Sequence, residues 1–262
     1  VVKGADKRRG HSGIDNHDTA QGGSGGGHAD TQVEQVPGSQ TGHEIYDPWT
    51  VHELGLQVSE ADIARLRESP SEWVEASLQF RDRDYGPIGL RIKGSSSFQD
   101  IDHKPALKLK FNAFRDGGDL FGLEGLTLNN EVWDPTMMAE NLSYRTFREN
   151  GSPGPRTGYA TVRINDRALG LYTLIEPMDD DFVDRQWPDS HGGLWEMTRN
   201  CDFTGDCSCF DLQETGEAYE SGALVQGCAA VADGSFEALR TAFNWTEVEA
   251  FLAVELSVNH PD

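Results

Sequence analysis

The sequence predicts an α+β fold in which a strand-rich half carrying one prominent helix precedes a mainly helical half. Three observations predict it. Period-two alternation recurs through "WVEASLQF", "LRIK", "LKLKF" and "YATVRINDRALGLYTLIE", as expected of strands with one apolar and one polar face. Met137, Glu140, Tyr144 and Phe147 form a single stripe at helical spacing between those strands. The last third changes character, with four clustered cysteines followed by apolar helical segments.

Taken in order, residues 1–44 are Gly, Ser, His, Asp and Gln with hardly an aliphatic, and "QGGSGGGHAD" has linker composition. This tail is expected to be disordered, with His11, His17 and His28 solvated. Order is expected to begin near Ile45. "LGLQVSEADIARLRES" reads as a strand and then a helix capped by Ser59, with Glu60 and Asp62 in its first turn. "WVEASLQFRD" reads as a strand, with a turn at Asp84-Tyr85-Gly86 before two further strands around Ile88–Lys93 and Leu107–Phe111. A short strand is expected at Leu126–Leu128. The best-marked helix is expected to start at Asp134-Pro135 and stop at Gly151. After the rigid "GSPGPRTG" loop, a β-hairpin turns at Asn165-Asp166. Asp179-Asp180-Asp181 suit the start of a short helix. Beyond the cysteine-rich loop come a helix over "SFEALRTAF" and a final one opened by Thr246 with Glu249 as a capping box. The chain thus divides into a tail (1–44), a strand-rich part (45–176) and a helical part (177–262).

The 262 residues include 44 acidic and 22 basic side chains, a formal net charge of −22. That balance argues against binding nucleic-acid backbone, which needs a basic footprint, and suits a self-repelling soluble protein working in salt or outside the cell. No apolar run approaches the ~18 residues that cross a bilayer. Because the chain begins at Val1, we read it as a fragment or mature product. Cys201, Cys207, Cys209 and Cys228 are read as disulfide partners in an exported protein, since Cys-x-Cys is too tight for a zinc knuckle. Three pairings remain open.

Against this acidic background, Arg91, Lys93, Lys108 and Lys110 share one face of two neighbouring strands. The turn between them, Gly94-Ser95-Ser96-Ser97, is rich in N–H and hydroxyl donors, so the pair would make a positive pocket suited to phosphate. Lysines on a solvent-facing strand also serve merely to guard an edge. Glu140 lies inside an apolar stripe, where a carboxylate is costly unless paired. An arginine or the exposed first turn would satisfy it. A lysine of the cationic strands would instead give the pairing with which protein kinases grip nucleotide phosphates. His260-Pro261-Asp262 follows an apolar helix with the His-x-Asp spelling of a kinase catalytic loop, and is equally a helix stop.

"GLRIKGSSSF", "KPALKLKF", "LTLNNEVWDPTMMAENLSYRTFRENGSPGPRTGYATVRINDRALGLYTLIEPMDDDFV" and the terminal "NHPD" resemble the spore coat protein H (CotH) kinase family, over roughly Ile45 to Asp262. The resemblance implies an atypical protein-kinase-like bilobal fold with the second lobe incomplete. It also implies an exported or surface-associated enzyme that moves phosphate from ATP, with Mg²⁺ or Mn²⁺, to Ser or Thr of coat or cell-surface proteins. By the same resemblance Lys108 is the phosphate lysine, with Lys110 its rival, Glu140 the helix glutamate and Asp262 the catalytic aspartate. Arg91, Lys93, Ser95, Ser96 and Ser97 lie over the phosphates, and Glu176 falls where the strand leads to the hinge near adenine. The family's metal-binding segment follows the aspartate, so this chain is expected to lack the metal ligands and to be inactive by itself. Two other readings compete: a non-catalytic coat or adhesion scaffold on the same fold, and an exported carbohydrate-binding β-module, which leaves the cationic face unexplained.

Overall fold

A computed structural model of the chain describes residues 42–188, 193–197, 203, 207–214 and 222–258. The expected disordered tail, apart from its last three residues, lies outside them, as do Cys201 and Asp262. β1 (Val51–Val58) leads into α1 (Glu60–Glu68), whose Ser59 cap accepts the Asp62 N–H as expected. β2 (Val74–Phe80), β3 (Arg83–Lys93), β4 (Ala106–Lys110) and β5 (Gly125–Asn129) follow. Then come α2 (Ala139–Glu149), β6 (Thr157–Ile164), β7 (Arg167–Ile175) and α3 (Asp180–Gln186). The remaining described elements are β8 (Leu194–Met197), β9 (Phe210–Glu214), α4 (Gly222–Asp233), α5 (Phe236–Ala242) and α6 (Trp245–Val258).

Seven strands close a barrel in the order β1-β2-β3-β4-β5-β7-β6, sealed by parallel pairing of β1 with β6. Alternation supplies its interior: Leu54, Leu78, Leu90, Ile92, Leu107, Leu109, Leu126, Leu128, Val162 and Leu174 are each at most 2% exposed. Buried Ile45 and Tyr46 join this core. A smaller cluster joins Cys207, Leu224 and Cys228 to Trp195, Phe203 and Phe210. It holds a Cys207–Cys228 disulfide with a Cα–Cα distance of 6.1 Å. Cys209 is also disulfide-bonded, so the disulfide reading holds for the three described cysteines.

Four expectations need correction. Asp84, Tyr85 and Gly86 belong to β3, because the chain reverses at Arg81 and Asp82, with Arg81 at φ 53°. The prominent helix begins at Ala139 and not at Asp134-Pro135. Asp134 still caps it, accepting from the N–H groups of Thr136, Met138 and Ala139 across an extra turn. α6 starts at Trp245, before Thr246. Residues 222–233 form α4, where the sequence reading placed only loop.

Candidate functional site

The antiparallel registers on the outer surface of the barrel line up side chains from five strands. Arg91 faces Lys108, Lys108 faces Thr127, Thr127 faces Ile175, and Ile175 faces Thr157. The adjacent row runs Lys93, Ala106, then by continued register Asn129, Thr173 and Tyr159. Inward-pointing Leu107 and Leu128 fix the outward aim of their neighbours. The sequence-predicted cations therefore do share one face.

Within the second row, Lys93 Nζ donates to Asn129 Oδ1 at 2.7 Å, and Asn129 Nδ2 donates to Glu140 Oε1 at 2.6 Å. Glu140 sits in the first turn of α2, whose entry is tied to the sheet by the Tyr159 hydroxyl donating to the Met137 carbonyl at 3.0 Å. The strand lysine and helix glutamate are thus joined through an amide. The lysine involved is Lys93, whereas Lys108 lies one row away and Lys110 is exposed. Asn129 and Glu131 are site residues that sequence reasoning missed. The asparagine pair in "LTLNNEVW" was the available signal, because polar residues ending a buried strand need partners.

Burial lowers the Lys93 pKa, with Glu140 opposing, and burial followed by Arg91 lowers that of Lys108, with Glu196 and Asp179 opposing. Burial also pushes the Glu140 carboxyl well above its ordinary range. Contact with the Glu131 carboxyl adds to that rise, while Asn129 and Lys93 oppose it. Asp179, which caps α3 by accepting from Phe182 N–H at 3.3 Å, is raised to about 7, chiefly by burial.

The other predicted residues are placed as follows. Arg91 lies over the Trp73 ring at 4.9 Å. Ser95 and Ser96 are exposed, and the Ser97 carbonyl accepts from Asn130 Nδ2 at 3.0 Å, which pins the loop beside Lys93. Glu176 is buried between Arg156 and Arg185, at 2.6 and 2.5 Å. Burial raises its pKa, but hydrogen bonds from Arg185 and Arg156 outweigh that and hold it low. Its carboxylate is fully engaged by the two guanidinium groups. Among the described residues no group of three or more His, Cys, Asp or Glu side chains is poised to hold a metal, and no helix is long and apolar enough to span a membrane.

Comparison with known proteins adds the family. A stretch of 62 residues is 32% identical to "Inner spore coat protein H" of Bacillus subtilis (strain 168), covering 24% of this chain and 17% of that protein's length. A family model described as CotH kinase protein matches residues 90–247, more than half of the chain. That match takes in both rows of the outer face from Leu90 onward, α2 with Glu140, and the disulfide-linked cluster. The chain belongs to the CotH kinase protein family.

Proposed function

We propose that this chain is the nucleotide-holding part of an atypical protein kinase that transfers the ATP γ-phosphate to Ser or Thr hydroxyls of coat or surface proteins. The observation that carries the reading is the Lys93–Asn129–Glu140 chain on a cationic face. Lys93, Lys108 and Arg91 would meet the phosphates, and their partial burial strengthens each charge interaction relative to water. The Ser95–Ser97 turn would close over them with backbone and hydroxyl donors. A divalent cation bound with ATP would neutralise developing charge on the transferring group. A bilobal kinase arrangement would have the barrel as one lobe and α3 to α6 as part of the second. Asp262 would receive the substrate hydroxyl's proton.

The test is thermal protection by Mg·ATP together with phosphate labelling of a Ser/Thr-rich acceptor protein. Lys93→Ala is expected to abolish most of the nucleotide-induced rise in Tm and to cut labelling at least tenfold, with Lys108→Ala weaker in both. Undiminished protection in Lys93→Ala would put the nucleotide elsewhere. Protection without any labelling would favour the scaffold reading, in which the fold binds nucleotide or partner without chemistry.

A further inference from the structure

We propose that the groove lined by α1, the outer surface of β1 to β3 and the turn at 111–115 binds a short stretch of neutral polysaccharide, a chain of β-linked hexoses. The inference stands apart from the nucleotide reading, because it uses other residues. Those residues, Phe114 excepted, also precede residue 90, where the family match begins.

The groove encloses about 750 Å³, an ordinary volume for a ligand pocket. Its floor is sheet, with Gln57 of β1 standing opposite Ser77 of β2. Ser59, Asp62 and Arg65 come from α1 and its cap, and the turn contributes Phe114. Two glycines of β3 shape it. A Cβ on Gly86 would lie 2.9 Å from Ser77 Cβ. One on Gly89 would lie 2.7 Å from Ala113 Cβ and 2.9 Å from Trp73 Cε3. Glycine at 89 thus lets the Trp73 ring and the turn settle closely on β3. Arg115 Nη1 fastens the turn by donating to the Gly86 carbonyl at 3.2 Å. The shape is built before any ligand arrives, which lowers the cost of binding.

The polar groups divide into engaged and free. Asp62 accepts from the Ser59 hydroxyl and from Arg65, and Arg65 also holds Glu72. Gln57, Glu75 and Asp84 are exposed and make no side-chain hydrogen bond or ion pair among the described residues. Phe114 is 45% exposed. Free carboxylates and an amide beside aromatic rings match the chemistry of a sugar. Its hydroxyls donate to the carboxylates as charge-assisted hydrogen bonds, and the Gln57 amide can both donate and accept. The apolar C–H face of a hexose with equatorial hydroxyls packs on an aromatic ring. Charge selects a neutral chain. The net charge of −22 repels an anionic polymer. The three lining carboxylates are matched by three guanidiniums: Arg65 in the lining, Arg115 at the Gly86 carbonyl and Arg91 over the Trp73 ring at 4.9 Å. Arg91 already takes a cation's place on Trp73, so no surplus of negative charge calls for a basic peptide.

The experiment is calorimetric titration of the full chain with cellohexaose and, separately, N-acetylchitohexaose. At least one of them is expected to bind at one site per chain, with the same affinity at about 0.05 and about 0.5 M salt, as a neutral ligand requires. Phe114→Ala, and separately Glu75→Gln combined with Asp84→Asn, are each expected to weaken binding at least tenfold. Phe114→Tyr, which keeps the ring, is expected to retain it. Should Phe114→Ala fail to fold by circular dichroism, the carboxamide pair decides. No saturable binding of either sugar, or full affinity in both weakened variants, would overturn the proposal. So would a hexalysine peptide that binds more tightly than either sugar and loses affinity at the higher salt and in the carboxamide pair, which would assign the groove to a basic segment. Protection by Mg·ATP is expected to be unchanged in the carboxamide pair, so the failure of either reading leaves the other standing.

Discussion

Ala106 is the residue that decides which lysine meets the helix. It lies between Lys93 and Asn129 in their row, is 1% exposed, and its single methyl leaves the space through which Nζ reaches the amide. Lys108 occupies the equivalent place one row down, where Arg91 is its cross-strand neighbour. Like charges there cost energy unless an anion arrives. Leucine in place of Ala106 would fill the gap and displace Nζ. Ala106→Leu is therefore expected to weaken Mg·ATP binding at least tenfold while the barrel still melts cooperatively, at an overpacking cost of about 1–3 kcal/mol. Equilibrium binding and a thermal melt together check it. Unchanged affinity would mean that the Lys93–Asn129 contact is incidental to nucleotide binding. This detail was not legible in the sequence. Alternation places Arg91, Lys93, Lys108 and Lys110 on one face but does not say which of them lies opposite a small residue. That depends on register between strands, and the pattern within each strand is the same for several registers.

At the scale of elements, α2 carries Glu140, and its position depends on how it begins. Asp134 accepts three backbone N–H groups, and hydrogen bonds from Thr136 and the Ala139 N–H depress its carboxyl to about 2. The sequence showed the capping aspartate and the proline after it. It did not show that Met137, at φ 58°, breaks the helix before Ala139, because positive φ at a long side chain is imposed by tertiary contacts such as Tyr159 to the Met137 carbonyl. The β6–β7 hairpin, by contrast, was readable down to its turn, since Asn165 takes positive φ readily and its side chain also bonds Val58 on β1. α4 escaped notice because its two glycines, with no acidic residue in its first turn and no basic one in its last, give no cap signal; packing of Leu224 and Cys228 stabilises it instead. Asp134→Ala is expected to cost about 0.5–2 kcal/mol at neutral pH. The folded-state pKa lies below the ordinary value, so the contribution is present above roughly pH 4 and fades as the pH falls toward 2. Melts of wild type and variant that differ equally at pH 7 and pH 2.5 would contradict this role.

For the whole molecule, individual strands were predictable while barrel closure was not. β1 and β6 pair in parallel across about a hundred residues of sequence, and periodicity gives a strand its face without giving it a partner. The barrel and the disulfide-linked cluster have separate apolar centres. Asp179 follows the last barrel strand and opens α3 beside the buried Glu176 ion cluster. It is also among the acids that act on Lys108. Burial raises its pKa to about 7, with Asp181, Asp180 and Glu176 adding to the rise. The sign follows from linkage. A carboxyl whose folded pKa exceeds its unfolded value binds its proton more tightly when folded. Ionising it as the pH climbs from about 4 to about 7 therefore lowers stability, and the loss is complete above that window. Asparagine caps a helix as well as aspartate and carries no charge to desolvate. Asp179→Asn should therefore melt higher than wild type at pH 8, by several degrees given ~2–4 °C per kcal/mol for a domain of this size. The gap should narrow steadily as the pH approaches 4. A gap that stays constant across that series would mean that Asp179 is not under electrostatic strain, and that the strand-to-helix junction stores no charge for an arriving ligand to relieve.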